Sequence, residues 1–340
     1  MKNSVKSCLA HNRIRGLYLG GVLFLLVSAM LGLTLGSTPL SFSEMADAFR
    51  YGFHASAGTR IFAYVRLPRT HASLLCGAAL AVSGAVIQGV LANRLASPSI
   101  IGVNAGAGLA VTACTALGIM GGWQLSLFSF LGAFGAVMLV SLGSRRWGAS
   151  RGTVILIGVA LNSLLGAVSD TITTFIPEVG VMSNDFKVGA FSAVTYQKLV
   201  PAAVMILAVL LILQTLHNEL DVLTLGEESA RGLGLNTALM RTLFLLLAAV
   251  LAGCAVSLAG LLSFVGLLVP HAVRRAAGSK ASDLIGLCAL YGGGFVCLCD
   301  TVSRTVFSPY EVPVGIIMAY LGAPFFVFLL IKGKGGHSRD

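Results

Sequence analysis

The sequence predicts an all-α polytopic membrane protein with about ten transmembrane helices and both termini in the cytoplasm. Three observations carry that prediction. Of the 340 residues, 56% are hydrophobic and only 11% are charged, where a soluble domain carries about 25% charged residues. The apolar residues fall in runs of about 20, the length that crosses a hydrocarbon core as a helix. Lysine and arginine cluster in alternate connections, the bias that keeps bases on the cytoplasmic side. That bias accounts for much of the net charge of +10, so the charge does not point to nucleic acid. The 41 glycines suit helices packed closely in lipid. The chain, 1–340, reads as one transmembrane domain embedded in the lipid bilayer.

In chain order, Met1–Arg15 holds Lys2, Lys6, Arg13 and Arg15, and Gly16–Gly36 is the first span. That apolar run is longer than a signal-peptide core, so it reads as an uncleaved helix with its start inside. Ser37–Arg69 is a polar external segment containing Arg60, Arg66 and Arg69. Bases outside run against the usual bias and ask for a reason. His71–Leu91 is the second span, and Asn93–Gly102 is a tight inner turn. The third span runs to about Met120, the fourth covers Leu125–Gly143, and Arg145, Arg146 and Arg151 mark an inner loop. The fifth span, Thr153–Ile176, leads into a second external segment, Pro177–Lys198, and the sixth span is Leu199–Leu216. The seventh and eighth, Arg241–Leu258 and Ser263–Ala277, are separated by a few residues. Arg274, Arg275 and Lys280 put the end of the eighth inside. The ninth is Asp283–Thr301, with Arg304 and Glu311 outside, and the tenth is Pro313–Ile331, ending in Lys332 and Lys334 inside.

Between the sixth and seventh spans lies a polar island, 220–242. At its centre lie Glu227, Glu228 and Arg231 among the glycines Gly226, Gly232 and Gly234. Glu227–Leu233 is long enough for a small helix, and Gly234 is placed to stop it. A loop that only turned the chain would need less. The plainer alternative is a charged surface loop; the folded alternative is a cytoplasmic element built to touch another protein.

Several chemistries are absent. No G-x-x-x-x-G-K-[ST] occurs, so the chain is not itself a P-loop ATPase. An ion-coupled secondary carrier places an acid near the bilayer centre, and the nearest candidate, Asp170, lies toward the outer end of its span. The seven cysteines form no CxxC pair and read as small packing residues, with no metal site. Ser83 lacks the flanks of an intramembrane hydrolase, and His71 and His271 read as packing or interfacial residues. Asp300 and Arg304 share one helix face and are placed to pair.

With these residues in view, the chain resembles the FecCD permease family, the membrane subunits of ABC importers for iron chelates, haem and cobalamin. Four blocks carry the resemblance over about 66–332. They are RLPRT (Arg66–Thr70) running into GAALAVSGAVIQG (Gly77–Gly89), NRLASPSIIGVNAGAG (Asn93–Gly108), LGEESARGLGLN (Leu225–Asn236), and SFVGLLVPHAVR (Ser263–Arg274) with EVPVGIIMAYLGAPFF (Glu311–Phe326). One departure is NRLASP, where the family more often has Asn-Pro-Leu-Ala-acid-Pro, so Arg94 stands for a turn proline and Ser97 for an acid.

The resemblance implies a ten-span, FecCD/cobalamin-permease-like subunit that dimerises, with a second copy or a paralogue, around a central pathway. Two ABC ATPase subunits bind below, carrying ATP and Mg, with no cofactor on this chain. An extracytoplasmic substrate-binding protein docks above. Leu225–Asn236 would be the loop seated on the ATPase, with Gly226, Glu227, Glu228, Ala230, Arg231 and Gly234 as coupling residues. Arg66, Arg69 and Arg304 would be the external bases that meet acids on the binding protein. Asn93, Leu95 and Ser150 would form the cytoplasmic gate. The implied cargo is an iron chelate, first a ferric siderophore, with haem and cobalamin as alternatives and an ion-coupled carrier as the alternative class.

Overall fold

A computed structural model describes residues 2–38, 40–52, 56–119, 121–146 and 151–334, with side chains from 12 to 327 apart from 42, 49 and 145. Every regular element among the described residues is helical. The helices are α1 (Lys2–Thr34), α2 (Phe42–Arg50), α3 (Ala57–Ile61), α4 (Leu67–Val90), α5 (Val103–Ala116), α6 (Gly122–Arg146), α7 (Arg151–Phe175), α8 (Pro177–Met182) and α9 (Asn184–Val188). They continue with α10 (Tyr196–Thr215), α11 (His217–Thr224), α12 (Glu227–Gly232), α13 (Thr237–Ala259), α14 (Val265–Ala277), α15 (Ala281–Ser303) and α16 (Val314–Lys334). Among the described residues, 7 stretches are long and apolar enough to cross a membrane: those of α1, α3–α4, α6, α7, α10, α13 and α15. The other three expected spans are α5, α14 and α16, and the first two of these are short.

The second span corrects the expected boundary. It is continuous from Ala57 to Val90, 34 residues, so the end of the supposed external loop is helix. A π-turn over Phe62–Arg66 joins α3 to α4, with Leu67 N–H donating to the Phe62 carbonyl. Pro68 follows at once. The wider turn shifts the ladder where proline has no N–H to give and would crowd an earlier carbonyl.

Helix α4 is the axis of the fold. It is buried along most of its length and packs against α13, α14 and α15. Its small side chains permit that. A Cβ built on Gly77 would lie 2.1 Å from the Gly292 carbonyl oxygen of α15, and one on Gly84 would lie 1.9 Å from that of Gly266 in α14. The backbones touch, so dispersion contacts accumulate along the seam without large side chains. Ser83 Oγ donates to the Ala248 carbonyl of α13 at 2.8 Å. The six cysteines with described side chains, Cys76 to Cys299, are free and buried, as packing residues should be.

Why the short spans suffice follows from two breaks in the helices. The 91–102 turn dips back into the bundle. Pro98 packs by Gly266, and the Ile100 carbonyl packs on Gly158 of α7, two turns into that helix. Helix α5 therefore starts at depth and has less membrane left to cross. At the second break, between α13 and α14, Leu261 N–H donates to Phe186 O and Ala190 N–H to Ala259 O, each at 2.8 Å. Gly315 N–H donates to Gly189 O at 3.2 Å. The segment expected as a second external loop thus folds in against α13, α14 and α16, and buries Phe191 and Val194. Non-helical backbone at membrane depth is stable only where other groups complete its hydrogen bonds, as they do here.

Candidate functional site

Three regions carry the predicted residues. The coupling loop and the 91–102 turn share one end of the bundle: Leu220 and Thr224 of α11 pack against Gly89 at the end of α4. The arginines lie at the opposite end.

In the coupling loop the structure has two helices, α11 and α12, where the sequence suggests one. Gly226 caps α12 with φ of +111°. Glu227 and Glu228 fill the first turn, where the helix dipole favours acids. Gly234, with φ of +82°, stops the helix as expected: its N–H donates to Arg231 O at 2.9 Å, while Leu235 N–H donates to Ala230 O at 3.0 Å. That pair of bonds satisfies the last carbonyls. Ala230 is buried beneath.

Glu227 ties α12 to α13. Its carboxylate accepts from Arg231 at 2.6 Å and from Arg241 of α13 at 2.9 Å. The Arg241 hydrogen bond, aided by the charges of Arg241 and Arg231, holds the Glu227 carboxyl below its ordinary range against the opposing effect of burial. Sequence reasoning missed Arg241, because it lies at the start of an apolar span. Glu228 and Arg231 stay exposed, and so do Leu225 (63%) and Leu233 (66%). The loop therefore presents a rigid knob with an acid, a base and two leucines outward.

In the gate region, Asn93 Oδ1 accepts from Leu95 N–H at 2.9 Å and Ala96 N–H donates to Asn93 O at 3.1 Å. Asn93 thus builds the turn that presents Leu95, which is 45% exposed. Ser150 lies outside the described residues. A residue the sequence gave no reason to choose holds this turn in place. Asn162 of α7 donates through Nδ2 to Ser99 O at 2.8 Å and to Ile100 O at 3.2 Å. Gln88 of α4 donates to Gly266 O at 3.0 Å and accepts from Arg274, which also donates to Ala85 O at 3.1 Å. The inner turn, α4, α7 and α14 are cross-linked at one level.

At the other end the structure brings Arg66, Arg69 and Arg304 together, but not on the surface. They are 3%, 6% and 2% exposed, so within this chain they lie beneath the surface at that end. Arg69 pairs with Asp300 at 2.9 Å and with Glu311 at 2.7 Å. Arg304 lies 3.4 Å from Asp300, the pairing expected from their spacing, and donates to Gly32 O at 2.6 Å. Arg66 donates to Leu35 O and to Thr38 O. Burial raises the Glu311 carboxyl, but the hydrogen bond and charge of Arg69 and the Ser37 hydroxyl outweigh it and leave it below the ordinary range. Three guanidiniums face two carboxylates, so the cluster keeps one unit of positive charge. It knots the end of α1, the start of α4 and the end of α15 into one corner.

Asp170 is exposed on α7, five residues from the helix end. Among the described residues no group of His, Cys, Asp and Glu could hold a metal ion.

The model of the FecCD transport family matches residues 24–332. The chain is 35% identical to an uncharacterized ABC transporter permease protein, YvrB of Bacillus subtilis, over 94% of this chain and 95% of that one. It is 37% identical to the vitamin B12 import system permease protein BtuC of Yersinia pseudotuberculosis, over 80% of this chain and 82% of that one. It is 34% identical to the Fe(3+)-citrate import system permease protein YfmD of Bacillus subtilis, over 89% and 91%. A solved structure described as a metal-chelate type ABC transporter in an inward-facing conformation superposes with a TM-score of 0.81 at 30% identity, covering 94% of this chain and 99% of that one. A bundle of apolar helices broken at two turns, a folded loop at one end, and a family model that matches from within α1 to α16 converge: this chain belongs to the FecCD transport family, as a multi-pass membrane permease of the ABC-importer type.

Proposed function

We propose that this permease forms the pathway for a ferric siderophore, driven by two separate ATPase subunits that hold ATP and Mg. The observation that carries the coupling half is the α11–α12 knob. Of its outward residues, Leu225, Glu228, Arg231 and Leu233, Arg231 is held by Glu227 and by the Thr237 hydroxyl, and the exposed Leu225, Glu228 and Leu233 are left to face a partner, while Glu227, Ala230 and the two flanking glycines fix the shape of the knob. A rigid projection transmits a push, whereas a mobile loop would absorb it.

Helix α7 supports a dimer around the pathway. Only 11% of its apolar stretch is buried within this chain, less than in any of the other six long spans. Its free face carries Leu156, Val159, Leu164 and Val168 beside small residues, Ala160, Ser163 and Ala167. A second copy, or a paralogue, covers part of it, and a bulky, largely apolar chelate passes along the rest. The 91–102 turn with Asn93 and Leu95 closes the pathway at the coupling end. A binding protein docks at the opposite end, over the corner knotted by Arg66, Arg69 and Arg304. Those arginines set the shape of that corner from below and supply its excess positive charge, which attracts an acid on the partner.

Support for an iron chelate comes from the resemblance to the Fe(3+)-citrate permease and to the metal-chelate type transporter. Cobalamin is the second reading, favoured by the 37% identity to a vitamin B12 permease. The test is uptake of labelled ferric siderophores, haem and cobalamin by cells with and without the gene. Loss of ferric-siderophore uptake alone supports the first reading, and loss of cobalamin uptake alone replaces it with the second.

A further inference from the structure

Between α6 and α10, with α13 as its floor, runs a groove of about 590 Å³. Its lining changes character along its length. Trp123, Gln197 and Lys198 line it in the first turns of α6 and α10, at the end opposite the coupling loop. Leu127, Phe130 and Met205 line it deeper. Phe130 and Met205 each lie seven residues along their helices from Trp123 and Lys198, about 10 Å at the rise of an α-helix. The polar-to-apolar step thus has the depth of the step from headgroup to acyl chain. The rows on either side, Leu131 of α6 and Val200, Val204, Leu207 and Leu211 of α10, are exposed and apolar. The groove opens onto a face suited to lipid.

Lys198 sets the charge of this groove. Its ammonium has three protons to give, and its one hydrogen bond among the described residues goes to Ala193 O at 3.2 Å. Among the described residues no carboxylate pairs with it. Asp185 lines the adjoining cavity, which also touches Lys198, but forms no ion pair with it. A half-buried cation with one neutral partner favours an anion, and a tryptophan beside it, 54% exposed, is the side chain that settles at the headgroup level.

We propose that the α6/α10 groove binds an anionic phospholipid from the leaflet at the end opposite the coupling loop. The phosphate sits on Lys198 with donors from Gln197 and the Trp123 indole, and one acyl chain lies along Leu127, Phe130 and Met205. The groove is walled by α13, which continues from the coupling loop through Arg241, so an occupant there braces the helix that carries the loop.

The test uses the full chain purified in mild detergent. Phosphatidylglycerol, phosphatidylcholine and inorganic phosphate are added separately, and bound lipid is counted by native mass spectrometry. A phosphatidylglycerol carrying a photoreactive group on its acyl chain maps the site. The expected result is preferential retention of phosphatidylglycerol, with cross-links on α6 and α10. Lys198→Gln should lower that preference about fivefold, the worth of one basic residue toward an anionic lipid, while Lys198→Arg keeps it. Met205→Trp, which fills the tail region, should exclude both lipids without touching Lys198. Equal binding of the two lipids, an unchanged preference in Lys198→Gln, or competition by inorganic phosphate at equal concentration would each overturn the proposal. So would cross-linking between two copies through cysteines placed at 127 and 205, since the groove would then belong to a protein interface.

Discussion

Asn162 shows how one side chain makes a broken span possible. Its amide caps the carbonyls of Ser99 and Ile100 where the chain turns back inside the bundle. Both bonds are partly buried, and leaving a buried acceptor unmet costs about 1–3 kcal/mol. Asn162→Leu, nearly equal in bulk, should therefore destabilise the protein by about that amount, read as a lower unfolding temperature in detergent. Because the released turn presents Leu95, the same variant should also leak or stall at the gate, seen as altered transport at normal expression. Unchanged thermal stability would remove the amide from this role. Asp300 illustrates the opposite economy: it is buried with two arginines around it, so its charge is tolerated only as part of the cluster.

At the scale of the element, the coupling loop separates residues that shape it from residues that face outward. Glu227 shapes it. Its carboxyl titrates below the ordinary range because Arg241 donates to it and is charged. A lowered folded-state value means that the bridge stabilises the fold above the unfolded carboxylate value, about 4.3, and that this contribution is lost as pH falls through the lower folded value. Loop attachment should thus be constant near neutral pH and fail only in acid, as read by hydrogen exchange of the 227–235 amides. Glu228 and Arg231 face outward. Reversing both charges should abolish substrate-stimulated ATP hydrolysis by the assembled transporter while leaving the permease folded and inserted. If hydrolysis and transport persist at normal rates, the outward charges do not seat the loop on the ATPase.

For the whole molecule, the contacts fix which ends lie together. Gly20 and Gly21 of α1 pack on Tyr291, and Tyr18 packs on Gly286, in the first half of α15. Ala281 at the start of α15 donates to Asp221 of α11. The start of α1 therefore shares the end that carries the coupling loop, and α16 runs back toward it. From the charge bias we propose that this end faces the cytoplasm. Single cysteines at Arg146, Arg231 and Lys280, in a background without the native cysteines, should resist an impermeant thiol reagent in intact cells. Cysteines at Arg60 and Lys187 should react, since all five side chains are exposed on the protein. Labelling at 231 from outside would refute this topology.

The local signals read correctly in the sequence are those set within a few residues. Apolar run length placed the long spans, because lipid imposes it on each helix separately. The acids of Glu227 and Glu228 and the glycine at 234 announced a helix and its stop, because capping is a matter between neighbours in the chain. The four-residue spacing of Asp300 and Arg304 foretold their pairing for the same reason. Tertiary structure alone decided what depends on distant segments. The polar stretch before Pro68 became helix because the π-turn accommodates the proline and α4 needs its full length at the centre. The backbone of Phe186 and Ala190 turned inward to meet the α13–α14 break, which needed hydrogen-bond partners. Arg66, Arg69 and Arg304 looked like surface bases, since nothing nearby in sequence shows Arg66 donating to carbonyls past the end of α1, or Arg69 meeting an acid 231 residues away. A charge's exposure is set by the partners that surround it in space, and those partners come from the far ends of this chain.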